Sequence, residues 1–382
     1  MDFVVLKVSL KQTAINICKT FASNLYLKRY ALQRKNELYT AILSMPEELL
    51  SREENPDLSV SKIGIKKEAS KCLNEFIEVM KNNPYADIGN FCKLCTPFSI
   101  TYFSGQPKRN KHYIYAFYNV FNNTISIDKT VVRKNIFHEL MHRLTLRKWE
   151  DYISCGFHLY KLDHVDGKSI VYSIGEGINE AYTHFLTLKY FSHLGAGSAY
   201  PLIIDLAIFL EKVLGKEIME RCFFNADLGS LIKEIAKYSS LQEAVNFIKY
   251  FDILLDKTYK SDRKIDTVLA SKIYSILLKM IAKMEIKKVI CEMEAKPEAG
   301  DEIALREQIV LDSITDFKLS FKFKEKIINR VSFTYKLSKS DAREINEFIS
   351  EELKGVDARA SLQKATESNE KKFSIKKTIR ER

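Results

Sequence analysis

Apolar residues repeat at helical spacing in both flanks of the chain and alternate in its middle. Leu38, Ala41, Ile42 and Met45 recur every three or four positions and stop at Pro46, whose ring and missing N–H end a helix. Ala69, Cys72, Leu73, Phe76, Ile77 and Met80 form a second stripe, ended by Asn83-Pro84. Ser51 to Asp57 reads as a polar connection. At Phe98 the period changes to two: Phe98, Ile100 and Tyr102 alternate with Ser99 and Thr101, and Tyr113 to Val120 is rich in aromatic and β-branched residues. Asn122-Asn123 turns the chain into Thr124 to Ile127, after which Asp128 or Thr130 offers an N-cap to a helix. Further on, Tyr160 and Leu162 before Asp166-Gly167, with Ile170 and Tyr172 after it, predict a β-hairpin with a tight turn.

From Pro201 the spacing is helical again. Pro201 suits a first turn and Gly215 a stop, with Leu202, Ile203, Leu206, Phe209 and Leu210 between them. Ser240-Leu241-Gln242-Glu243 is a capping box. A long helix should carry Ile265, Val268, Leu269, Ile273, Ile276, Leu277 and Met280 on its apolar side, followed by a linker at Lys296 to Asp301 and a second capping box at Asp341 to Glu344. After Gly355 the periodicity is lost in a Lys-, Glu- and Ser-rich tail that reads as disordered. The expected fold is α+β, mostly helical, with a small, mainly antiparallel sheet packed on a central helix. Its regions are a helical 1–84, a core at 85–195, a helical 196–355 and a basic tail at 356–382.

The central helix carries the chemistry. In Phe137-His138-Glu139-Leu140-Met141-His142 the two histidines are four apart and share a face, so both can turn a ring nitrogen toward one ion. Glu139 sits about 100° round the same turn, where a carboxylate reaches a metal-activated water without occupying the metal. Two neutral nitrogen ligands, a base and an open position are what a zinc hydrolase requires, so one catalytic Zn²⁺ is the expected cofactor. All seven histidines, at 112, 138, 142, 158, 164, 184 and 193, fall in this central segment; His158 and His164 lie on the predicted hairpin, close enough in sequence to line a cleft.

Downstream stands Gly175-Glu176-Gly177-Ile178-Asn179-Glu180-Ala181-Tyr182-Thr183, and with it the segment resembles the thermolysin-like (gluzincin) zinc metallopeptidases. The resemblance spans roughly residues 98–190. It implies Glu180 as the third metal ligand, with Glu176 as the alternative. It also makes Tyr115 to Asn119 similar to the family's edge strand, where backbone groups of Ala116 and Tyr118 would hold an extended peptide or protein substrate. Departures from the family pattern are His184 where an Asp usually orients the first histidine, Arg143 at a normally uncharged place, and 37 residues between His142 and Glu180. No histidine follows His193, so a tyrosine is expected as oxyanion donor, with Tyr172 the candidate nearest in sequence.

Composition narrows the alternatives. Hydrophobic content of 46% is that of a folded chain. The net charge of +11 is spread over lysines without an Arg-rich or aromatic-interleaved motif, which argues against nucleic acid as the partner. Seven scattered cysteines, with Cys92-Lys93-Leu94-Cys95 the one close pair, suggest free thiols in a reducing compartment. Met1 to Lys7 is too short an apolar run for a signal peptide, and no stretch of about 18 uncharged apolar residues offers a membrane span, so a cytoplasmic enzyme is expected. The competing class is a zinc-containing binding module that has lost peptidase activity and acts through its basic surface.

Overall fold

The computed structural model describes residues 26–42, 67–94, 99–103, 108–109, 112–113, 115–197, 201–260, 267–294, 347–348 and 351. The expectations for Pro46, Ser51 to Asp57, Phe98, Cys95, Ile265, the 296–301 linker, the Asp341 cap and the 356–382 tail lie outside them. Helices dominate, with small sheets between them, so the α+β expectation holds.

Helix α1 covers residues 26–41, α2 Lys67–Met80 and α3 Ile88–Leu94. In α2 the expected stripe faces inward: Ala69, Cys72, Phe76 and Met80 are buried, and Leu73 and Ile77 pack beside them. Strand β1 (Ser99–Phe103) follows, then the two-residue β2 (Lys108–Arg109) and β3 (His112–Tyr113), β4 (Ala116–Asn119) and β5 (Thr124–Asp128). The expected single strand from Tyr113 to Val120 is therefore divided, and its first part pairs with β2 rather than continuing into β4. The turn at Asn123, with φ 51°, brings β5 back antiparallel to β4, as expected. β5 also takes β1 on its other side in a parallel pairing, giving the order β1-β5-β4 with β4 at an edge.

Helix α4 (Val132–Leu144) is buried from Ile136 to Leu144, and β4 and β5 pack on it. Its N-cap is Val131, without a side-chain hydrogen bond, and not Asp128 or Thr130. The Asp128 carboxylate instead accepts from the Thr130 N–H (2.8 Å) and hydroxyl (2.7 Å), building the turn that leads into the helix. Behind α4, Phe137 stacks on Phe191 at 4.8 Å and Phe191 on Phe76 at 5.2 Å, so three helices meet through offset rings.

A four-stranded meander then occupies the long connection: β6 (Leu146–Trp149), β7 (Tyr152–Cys155), β8 (His158–Val165) and β9 (Lys168–Ile174), in that order and antiparallel throughout. The predicted hairpin is β8–β9. Val165 pairs with Lys168 across Asp166 (φ 51°) and Gly167 (φ 72°), the two positive φ values that a type I′ turn needs. β6 and β7 were not expected.

Helix α5 (Glu176–Phe191) brings the chain back against α4. The C-terminal half is helical as expected: α6 (Pro201–Leu214), α7 (Lys216–Phe224), α8 (Leu228–Ala236), α9 (Leu241–Leu255) and α10 (Thr267–Glu294). Gly215, with φ 94°, ends α6, and Ser240 and Glu243 form the reciprocal capping box at the start of α9. Val268 is 66% exposed, so it belongs to the solvent side of α10 rather than the apolar side. One hydrophobic core runs from Leu38 of α1 through α4 and α5 to Met284 of α10. No helix among the described residues is long and apolar enough to cross a membrane.

Candidate metal centre

His138 and His142 lie one helical turn apart on α4, and their Nε2 atoms are 2.9 Å apart. Glu180, one turn into α5, places one carboxylate oxygen 3.3 Å from His138 Nε2 and the other 3.3 Å from His142 Nε2. For a tetrahedral ion with bonds of 2.0–2.1 Å, neighbouring donor atoms stand about 3.3 Å apart. The distances from each histidine to Glu180 match that separation, each through a different carboxylate oxygen, and the two histidine nitrogens stand closer than it. His138 Nδ1 is buried and lacks a hydrogen-bond partner among the described residues, so nothing competes there for the ring's orientation. Two clusters among the described residues could hold an ion, His138 with Glu180 and His184, and His138 with Glu139 and His142, so His138 is common to both and Glu176, the alternative ligand, is in neither.

Burial and mutual charge set the protonation of this cluster. Burial raises Glu180, but the two histidines outweigh it and hold the carboxyl well below its ordinary range. Burial would lower His142, yet Glu180 and then Cys155 carry it well above the usual imidazole value. Burial raises the Glu139 carboxyl more than the neighbouring histidines lower it, and the Tyr118 backbone N–H donates to it. A carboxylate raised in this way is a stronger base than a solvent-exposed one.

The surroundings differ from what sequence order suggests. His184 does not point along the plane of His138: the rings stack at 3.9 Å and 27°, and burial with His138 beside it lowers His184 well below the usual value. Asn179 lies with its amide nitrogen, which can only donate, 3.3 Å from His142 Nδ1, and its oxygen accepts the Phe157 N–H at 2.9 Å. Arg143, fully buried, lies over the Phe91 ring at 5.3 Å and donates to Asn123 Oδ1, which also accepts the Tyr118 hydroxyl at 2.8 Å. The residue flanking the second histidine thus anchors the hairpin that carries the edge strand. Of the expected substrate-binding pair, Tyr118 is brought to Glu139, and Ala116 sits half-buried two residues along the same strand.

Tyr172 does not join the cluster. Its hydroxyl donates to Asp163 at 3.0 Å, and Asp163 also binds Tyr30 and Arg34 of α1, each at 3.1 Å. The register explains this: Tyr172 faces Lys161, so it lies on the opposite side of the sheet from Tyr160. Tyr160 shares a face with His158 and with Cys155, the partner of His158 on β7. The Cys155 thiol donates to the His142 carbonyl at 2.9 Å. Tyr160 lies against His158 with ring centroids 3.9 Å apart and tilted by 30°, and with Tyr118 it packs on Val120, Leu146, Ile153 and Cys155. Tyr160 was missed in the sequence, although the two-residue turn fixes the register that separates it from Tyr172. His164 is exposed and contacts Ser169 at 3.2 Å, on the hairpin's outer end.

Comparison with family models, with curated proteins and with solved structures gives no match.

Proposed function

We propose that this chain is a zinc-dependent peptidase of the thermolysin-like type, with His138, His142 and Glu180 holding one Zn²⁺ and peptides or proteins as substrates. The observation that carries this reading is the convergence of two buried histidines and the half-buried Glu180 at 2.9–3.3 Å, with Glu139 beside His138 in the chain. The ion, when bound, supplies Lewis acidity and a water that loses its proton near neutral pH. Glu139 takes that proton and returns it to the leaving nitrogen, a task suited to a carboxyl raised by burial. The edge strand β4, held over Glu139 through the Tyr118 N–H and braced by Arg143, presents its outer edge to an extended substrate backbone. Tyr160 replaces Tyr172 as the oxyanion donor, because its face of β8 is the one that meets Cys155 and Tyr118.

The test is Glu139→Gln, which keeps size and hydrogen bonding and removes the proton acceptor. Zinc content should stay at the wild-type level while hydrolysis of a casein-type substrate falls by at least about a hundredfold. Wild-type hydrolysis by a zinc-replete variant would refute the mechanism. A wild-type chain that holds zinc but cleaves nothing would favour the binding-module alternative.

A further inference from the structure

We infer that Asp252 is a positioning residue for the metal centre, and that helix α1 acts on the centre through it. The inference rests on reading His138, His142 and Glu180 as a metal site, not on peptide hydrolysis.

The start of α5 has no cap of its own. Its N-cap is Gly175, in a left-handed conformation with φ 79° and no side chain to accept the first N–H groups. Asp252, on α9, supplies what is missing: one carboxylate oxygen accepts the Gly175 N–H at 3.1 Å and the other the Gly177 N–H at 2.8 Å. A buried negative charge at this end also complements the helix dipole. α1 completes the arrangement. The Tyr39 hydroxyl donates to Asp252 Oδ2, and Lys35 Nζ lies 3.4 Å from the same oxygen. Burial, then Asp252, raises the Tyr39 phenol above its ordinary value, so it remains a donor across the physiological range.

Position matters because Glu180 follows Gly177 by three residues, about 4.5 Å along the same helix axis. Metal–ligand distances tolerate only about 0.2 Å. A carboxylate that clamps two N–H groups of the first turn therefore sets where Glu180, and Asn179 beside it, meet the two histidines of α4. Asn at position 252 can accept only one of the two N–H groups and removes the charge that Tyr39 and Lys35 face.

The experiment measures zinc affinity of the full chain by competition with a chromophoric chelator, together with amide exchange over residues 177–181. Asp252→Asn should weaken zinc binding by about ten- to a hundredfold, in the range of outer-shell partners of metal ligands, and should speed exchange in that segment. Tyr39→Phe, a milder change that leaves the fold intact, should weaken zinc by about threefold, a fraction of that outer-shell range. Ser240→Ala, which removes the capping box of α9 without touching Asp252, is the stability control and should leave affinity within about twofold, below any outer-shell effect. Zinc affinity unchanged in both Asp252→Asn and Tyr39→Phe, at temperatures where both are folded, would overturn the inference. If the wild-type chain takes up no zinc, the metal-site reading fails by itself. Exchange at 177–181 then decides: acceleration in Asp252→Asn, but not in Ser240→Ala, supports the coupling, and its absence rejects it. Zinc uptake without peptide cleavage rejects the peptidase reading and leaves the affinity comparison standing.

Discussion

Replacing Gly177 with alanine sets two effects of known size against each other. On helix propensity alone the change should stabilise α5 by about 1 kcal/mol. In the fold, α9 crosses α5 at this residue with the two backbones in contact. A Cβ on Gly177 would overlap the carbonyl of Phe251 and stand 2.7 Å from the Asp252 nitrogen. Ordinary contacts of this kind begin at 3.4 Å and the Phe251 carbonyl oxygen would stand at 2.2 Å, so the closest contact must open by about 1.2 Å. No rotamer change relieves the clash, because the opposing atoms are backbone. Overpacking of this kind costs about 1–3 kcal/mol. Parting the helices also stretches the bond from the Gly177 N–H to the Asp252 carboxylate, a charged hydrogen bond worth about 1.5–3 kcal/mol. The losses exceed the gain, and we expect a net destabilisation of about 2–4 kcal/mol, or roughly 5–15 °C in Tm for a folded region of this size. Differential scanning calorimetry of Gly177→Ala against wild type measures it. A Tm equal to or above wild type would refute the close approach and the reading of α5 as wedged against α9.

Glu180→Ala should lose zinc affinity by orders of magnitude, whereas Glu176→Ala should bind zinc as wild type does; inductively coupled plasma analysis after dialysis against a weak chelator separates them, and zinc loss in the Glu176 variant would overturn the ligand assignment. The docking of α1 should be acid-labile. Burial raises Asp163, but Arg34, Tyr172 and Tyr30 together hold it below its ordinary value. A lowered folded pKa means that its stabilisation is fully present above the unfolded carboxyl value of about 3.9 and is lost as pH falls through the lower folded value. Limited proteolysis by pepsin should therefore cut α1 faster in Asp163→Asn than in wild type at pH 4.5, and converge with it at the lowest pH; equal rates at pH 4.5 would contradict this.

Much of this arrangement was legible in the sequence, and its blind spots share a cause. The α4 histidines, the Asp166-Gly167 turn and the Ser240 capping box are local signals, each contained within a few residues, and each forms where expected. β6 and β7 were hidden because Leu146 to Cys155 mixes charge with aromatics, and their turn uses Glu150 at φ 47° where a glycine would have announced it. The parallel pairing of β1 with β5 depends on partners about 25 positions apart, which no local pattern encodes. Tyr172 was chosen for closeness in sequence. Strand parity, readable from the two-residue turn, puts it on the opposite face from Tyr160. Glycine is a poor helix former, yet α5 begins between Gly175 and Gly177 because Asp252, far along the chain, accepts both of their N–H groups.

The meander between the two halves of the ligand set has a consequence for the order of assembly. His138 and His142 lie one turn apart on α4, but 37 residues separate His142 from Glu180. In an unfolded chain, closing a loop of that length costs about 3 kcal/mol, before any bond to an ion is counted. The four antiparallel strands of β6–β9 remove this cost by local steps, each hairpin joining neighbours in sequence and carrying the chain back to the start of α5. If the chain holds zinc as proposed, the ion would meet a nascent polypeptide as a two-histidine site and would gain its third donor only after the strands have zipped. Retention of such an ion during synthesis would then report on completed folding, and slippage of the meander by one residue would leave a helical chain without the third donor.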